Sequence, residues 1–175
     1  MVRGYTMRGV QGAADRAVRL ARAYLGWKSP GGRVHDVQQD PRFQHRGVDL
    51  LWEVDGVPVV GVEVKGDRQG RRRGNYFLEL ISNVEKGTPG CFLYSMADVI
   101  LYVFLERCEV HYLPLPPTRA WFLERSSAFP LKQTRTRTGT HHYTTVGAVV
   151  PVSRVLAEVP GTARYQVDGD DVRLL

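Results

Sequence analysis

The stretch Gly47-Val48-Asp49-Leu50-Leu51-Trp52-Glu53-Val54-Asp55-Gly56-Val57-Pro58-Val59-Val60-Gly61-Val62-Glu63-Val64-Lys65-Gly66-Asp67 decides how this chain is read. Two apolar runs, Val48–Val54 and Pro58–Lys65, flank Asp55-Gly56, a dipeptide that accepts positive φ and so marks a hairpin. Buried strands normally avoid charge, yet Asp49 opens the first run while Glu63 and Lys65 close the second. Alternate residues of a strand share a face, so Glu63 and Lys65 point the same way. Loop length decides whether Asp49 joins them. A two-residue turn pairs Val54 with Val57 and Asp49 with Val62, which leaves Asp49 on the wrong face. A three-residue loop, Asp55-Gly56-Val57, pairs Val54 with Pro58 and Asp49 with Glu63, and Pro58 is tolerated as the first residue of a strand. A common site for the three groups therefore requires the longer loop or a bulge.

Upstream, Ala14, Ala17, Val18, Ala21, Tyr24 and Leu25 fall at helical spacing and predict an amphipathic helix from about Ala13 to Trp27, with Arg16, Arg19 and Arg22 on its outer side. Ser29-Pro30-Gly31-Gly32 ends it. Arg33–Val37 then reads as a first strand and Gln38–Gly47 as a polar connection. Downstream, Gly66–Gly74 is a charged loop and Tyr76–Ile81 is apolar again, and Gly87-Thr88-Pro89-Gly90 breaks the chain. The second half of Met96–Leu105 reads as a buried strand, with Val110–Leu113 as its partner. Leu113–Pro117 is a proline-rich break, Thr118–Arg125 a short helix, Val146–Val152 a final strand and Ser153–Glu158 a last short helix. With no internal repeat or low-complexity tract, residues 1–175 read as a single α/β domain.

The 175 residues carry a formal net charge of +6, with 43% hydrophobic residues, enough to build a core without disulfide or metal staples. Cys91 and Cys108 lie in apolar segments and read as buried, inert thiols, which suits an intracellular, cytoplasmic setting. No run approaches the roughly 18 uncharged apolar residues of a membrane helix, and the start leads into no signal-peptide core. Of 24 basic residues, 20 are arginine, the planar donor suited to phosphate, although codon bias or a thermophilic host gives the same excess. Residues 1–75 hold 14 Lys/Arg against 8 Asp/Glu, so the basic surface comes mainly from the N-terminal half. A polyanion, nucleic acid first, is the expected partner.

Two carboxylates held close together repel each other unless a cation neutralises them, and hard oxygen ligands suit Mg²⁺ or Mn²⁺. A neighbouring ammonium can stabilise charge developing on a phosphate or help position a water. The simpler reading is a hairpin in which Lys65 only pairs with Glu63 or Asp49. Val48-Asp49, thirteen intervening residues and then Glu63-Val64-Lys65 resemble the P-D…(D/E)-x-K motif of the restriction-endonuclease-like nuclease superfamily, with Val48 in place of the usual proline. The resemblance covers about residues 13–81. It implies an αβββαβ-type core, a central mixed β-sheet flanked by helices, and Mg²⁺-dependent (or Mn²⁺-dependent) cleavage of nucleic-acid phosphodiesters. It further implies Asp49 and Glu63 as metal ligands, the Val64 carbonyl as another, and Lys65 near the attacking water.

Other residues are candidates for the same site. Glu79, a carboxylate in an apolar segment, and Asp36 are possible supporting groups; Asp15 and Asp40 are weaker ones, and His45 is the one histidine close to the motif. Arg46, Arg68, Arg71, Arg72 and Arg73 surround the motif, and Arg135 and Arg137 share one face of Thr134–Thr138 if that segment is extended, so these are the expected nucleic-acid contacts. The leading expectation is an endonuclease on double-stranded or branched DNA, working as a homodimer. The alternatives are a non-catalytic nucleic-acid-binding module on the same fold, and a structural protein whose arginines reflect its proteome.

Overall fold

Val99-Ile100-Leu101-Tyr102-Val103-Phe104 is buried at every position, as a strand covered on both faces must be. A computed structural model describes residues 4–68, 74–138 and 141–175 and places this run at the centre of a seven-stranded mixed sheet. In chain order the strands are β1 (Gly4–Thr6), β2 (Arg33–Asp36), β3 (Leu50–Glu53), β4 (Val60–Asp67), β5 (Asn75–Asn83), β6 (Thr88–Pro89), β7 (Val99–Phe104) and β8 (Glu109–Pro114). They continue with β9 (Leu131–Thr138), β10 (His141–Pro151), β11 (Ala163–Asp168) and β12 (Asp171–Leu174). The helices are α1 (Met7–Lys28), α2 (Pro41–Gln44), α3 (Cys91–Tyr94), α4 (Leu115–Glu124) and α5 (Val152–Glu158). The large sheet runs β12-β11-β8-β7-β4-β3-β2, and a second sheet runs β1-β9-β10-β5-β6. In the large sheet β4 and β7 are parallel, whereas β2, β3 and β4 form an antiparallel meander.

Alternation along β7 divides the core in two. Val99, Leu101 and Val103 pack with Ala17, Ala21, Tyr24 and Leu25 of α1. Ile100, Tyr102 and Phe104 pack with Tyr76, Leu78, Ala148 and Val150 of the second sheet and with Phe92, Trp121 and Phe122 of the short helices. The apolar stripe read from the sequence is the buried stripe of α1, and Arg16, Arg19 and Arg22 are exposed. The helix begins at Met7, six residues earlier than its periodicity suggests, because the apolar pattern is absent where Gly9 and Gly12 lie. Gly66 lets it sit close: a Cβ there would stand 3.0 Å from the Ala17 Cβ.

Other elements differ from the sequence reading. The fold is α/β with a central mixed sheet, but between β4 and its parallel neighbour β7 the chain passes through β5, β6 and the single turn α3 instead of a long helix. The prolines of Leu113–Pro117 do not break the chain: Pro116 and Pro117 occupy the first turn of α4, where a missing N–H costs nothing. The strand read as final is the end of β10, and β11 and β12 follow, β11 pairing with β8. Their sequence escaped notice because Tyr165, Val167 and Val172 are the only large residues they bury. Among the described residues, no helix is long and apolar enough to cross a membrane.

Leu101, fully buried between β4 and β8, tests this arrangement. Leu101→Ala is expected to destabilise the protein by about 2–5 kcal/mol in chemical denaturation; a loss within error of zero contradicts its central position.

Candidate active site

The β3–β4 hairpin pairs Leu50 with Val62, Leu51 with Gly61 and Trp52 with Val60. That register sets Val54 against Pro58 and Asp49 against Glu63, so the loop is Asp55-Gly56-Val57. It is closed by the Val57 N–H donating to the Val54 carbonyl at 3.0 Å, with Gly56 at φ 75°. Asp49 itself lies just ahead of β3 and is held from both sides. Its carbonyl accepts the Val37 N–H at 2.9 Å and its N–H donates to the Val62 carbonyl at 2.8 Å. Its carboxylate Oδ2 accepts the Val64 N–H at 2.7 Å. The side chain thus continues the ladder where the backbone of β3 has left it. Because the N–H and C=O of a strand residue leave on the same edge, the Val64 carbonyl faces the same side as its N–H.

Glu63 is only 7% exposed. Gly47 covers it from above: at φ 60°, a Cβ there would meet the Ser95 Cβ at 2.9 Å and the Glu63 Oε2 at 3.1 Å. Ser95 Oγ donates to the Gly47 carbonyl at 2.7 Å and fixes that cover in place. Burial, with the Asp49 charge beside it, pushes the Glu63 carboxyl up to about 8, only partly opposed by Lys65 and Cys91. Burial also raises Asp49, against the pull of the Val64 N–H and of Lys65, and the charge of Asp36 adds to the rise. Lys65 donates to Glu79 Oε2 at 3.0 Å, an ion pair between β4 and β5. Burial disfavours the ammonium, but the acidic groups around it, with the Glu79 carboxylate that accepts its hydrogen bond, together raise Lys65 above its ordinary value.

These groups line a cleft of about 500 Å³. Asp49, Glu63, Val64, Lys65, Glu79 and Arg68 all contribute to its walls. Asp36, at the end of β2, is outside those walls and accepts hydrogen bonds from Gln38. Asp15 accepts from Gln11 at 2.9 Å on the exposed side of α1, and Asp40 caps α2 and binds Arg42. The His45 ring turns back to the Pro41 carbonyl. Arg46 is exposed beside Gly47, and Arg71, Arg72 and Arg73 lie outside the described residues. Arg135 and Arg137 do share a face, but Lys132, Thr134 and Thr136 are the β9 residues that line the cleft, so alternation turns both arginines away from it.

Three participants went unrecognised in the sequence. Cys91, read as an inert core thiol, lies 3.6 Å from Lys65 Nζ; burial pushes its thiol up to about 12, so it is neutral as well as in the site. Asp67 lines the cleft and accepts from Tyr102 Oη at 3.1 Å; its i, i+2, i+4 spacing with Glu63 and Lys65 was a usable signal. The β9–β10 wall had no local signal. Comparison with protein-family models, with curated proteins and with solved structures found no match to this chain.

Glu63 titrates from 4.5 when unfolded to about 8 when folded, so the folded state binds its proton more tightly. Its contribution to stability is complete below about pH 4.5 and is lost as pH rises through 8. Without added metal, Glu63→Gln should therefore raise the melting temperature at pH 8, by a few kcal/mol in stability, and the gain should vanish near pH 4.5. A variant less stable than the parent at pH 8 contradicts this electrostatic assignment.

Proposed function

We propose that this protein is a Mg²⁺- or Mn²⁺-dependent endonuclease hydrolysing DNA phosphodiester bonds on a restriction-endonuclease-like core. The observation that carries the reading is the hairpin register, which brings Asp49 opposite Glu63 with Lys65 on the same face of β4. The succession of α1, three antiparallel strands, a crossover and a parallel strand supports the αβββαβ-type core, with β5, β6 and α3 as the crossover.

Among the described residues, no group of three or more His, Cys, Asp or Glu side chains forms a ready-made metal cage. Two carboxylates and a main-chain carbonyl nonetheless suit Mg²⁺, which keeps several waters and relies on one or two carboxylates plus substrate phosphate. Burial raises both Asp49 and Glu63, and the Asp49 charge raises Glu63 further; a cation would relieve both. Asp49, Glu63 and the Val64 carbonyl would hold the ion, which when bound supplies charge neutralisation and a more acidic water. Glu63 would hold the ion as its carboxylate. Lys65, kept charged and fixed in direction by Glu79, would orient the attacking water and stabilise charge gathering on the phosphate oxygens. Cutting both strands of a duplex would call for two copies of the site, hence a homodimer.

The Lys65–Glu79 ion pair favours a second reading, because a lysine satisfied within the protein has less to offer a substrate. That reading is a nucleic-acid-binding module that keeps the nuclease fold without catalysis. A cleavage assay on duplex, single-stranded, flapped and four-way-junction DNA separates the two. Asp49→Asn, Glu63→Gln and Lys65→Ala should each lower cleavage by about 10²-fold or more, EDTA should stop it, and Glu79→Gln should reduce it less than the other three. Variants that cut as well as the parent contradict the proposal, and salt-sensitive DNA binding without cleavage supports the module.

A further inference from the structure

The cleft has a second wall, built by strands of the sheet that also carries Glu79. Lys132, Thr134 and Thr136 of β9 and Tyr143 and Thr145 of β10 line it, Thr136 and Thr145 being buried. Their register makes them one patch: Thr136 pairs with Tyr143 and Thr134 with Thr145. Thr145 Oγ1 donates to the Ser82 carbonyl at 2.9 Å, which ties the patch to β5 and so to the strand carrying Glu79. The accessible groups are one ammonium, one hydroxyl and one phenol ring, set across from Glu63 and Lys65.

Charge and size restrict what can lie between these walls. Among the described residues, the cationic side chains lining the cleft are Lys65, Arg68 and Lys132, beside the carboxylates of Asp49, Glu63, Asp67 and Glu79. A duplex is held mainly by rows of Lys and Arg along its phosphates; among the described residues, Arg135 and Arg137 share a face of β9, and it is the face turned away from the cleft. The volume of about 500 Å³ is that of a drug-sized ligand, room for a nucleotide or two and not for paired strands. Unpaired strands are seated by aromatic rings on which bases stack, beside cationic groups that follow the backbone, and Tyr143 with Lys132 supplies one of each.

We propose that this cleft takes a single DNA strand, one base stacked on Tyr143 and its phosphates against Lys132 and Thr134, so that the substrate of the site is unpaired DNA or a flap. This rests on the nuclease reading and narrows it.

The test measures fluorescence anisotropy of the full chain carrying Asp49→Asn, in EDTA, with labelled oligothymidylate and with a blunt duplex of equal length. The strand should bind about 10-fold or more tighter than the duplex. Tyr143→Ala should weaken strand binding by about 10-fold, Tyr143→Phe should restore it, and Arg135→Ala should leave it unchanged. Equal affinity for duplex and strand, or a Tyr143→Ala protein that binds as before, overturns the proposal. A parallel assay of the parent chain in Mg²⁺ separates the two levels. Equal cutting of duplex and flap overturns the strand site while the nuclease reading stands; strand binding that depends on Tyr143, with nothing cut in Mg²⁺ or Mn²⁺, supports the strand site and removes the nuclease.

Discussion

The hydrogen bond from the Val64 N–H to the Asp49 carboxylate, 2.7 Å long, is the contact on which the arrangement of the site turns. It forms where β3 and β4 separate, so a side chain completes a ladder that the backbone no longer continues. One oxygen of Asp49 is thereby tied to the strand that bears Glu63 and Lys65, and the orientation of the other is set with it. The neighbouring bonds to Val37 and Val62 fix Asp49 within the meander as well. The site therefore inherits its precision from a sheet, and the sheet inherits its rigidity from β7, buried on both faces. A loop-borne aspartate would lack this restraint.

Against that order stands a concentration of unfavourable electrostatics. Glu63 is sealed beneath Gly47 and Ser95 next to a second carboxylate, and Lys65 and a hydrogen bond with Cys91 oppose its rise only in part. Lys65 meets its demand from Glu79 on another strand. Proteins seldom bury carboxylates this way for stability alone, since replacing them with neutral groups of similar shape is often neutral or stabilising. The proposed cation site would account for this burial.

Much of this was legible in the sequence wherever the determinant was local. The stripe from Ala17 to Leu25, the Asp55-Gly56 turn, the apolar run of β7 and the i, i+2 relation of Glu63 to Lys65 each depend on a few adjacent residues. Glu79 stood out because a carboxylate in an apolar strand needs a partner, and its partner is Lys65. What stayed hidden depends on pairing between distant segments. The alternation that gives Arg135 and Arg137 a common face is written in Thr134–Thr138, but which face turns to the cleft is decided by β10 pairing with β5. Cys91 looked like an ordinary core thiol because its neighbours in the fold, Glu63 and Lys65, are far from it in the chain. Pro116 and Pro117 have the same local chemistry in a break as in a first helical turn, and burial of Leu115 and Thr118 chose the helix.

The layering of α1, the large sheet and the second sheet also explains why the acidic groups face a wall instead of open solvent. β4 presents Val62 to α1, and the second sheet, with Glu79 on β5, lies over the side of β4 that carries Lys65. The claim beneath all of this is that Asp49 and Glu63 form one cation site. Calorimetric titration of Mn²⁺ into the parent protein and into Asp49→Asn tests it most directly. The account predicts saturable binding by the parent that Asp49→Asn loses; no binding heat in the parent, or the same isotherm for both proteins, would contradict it.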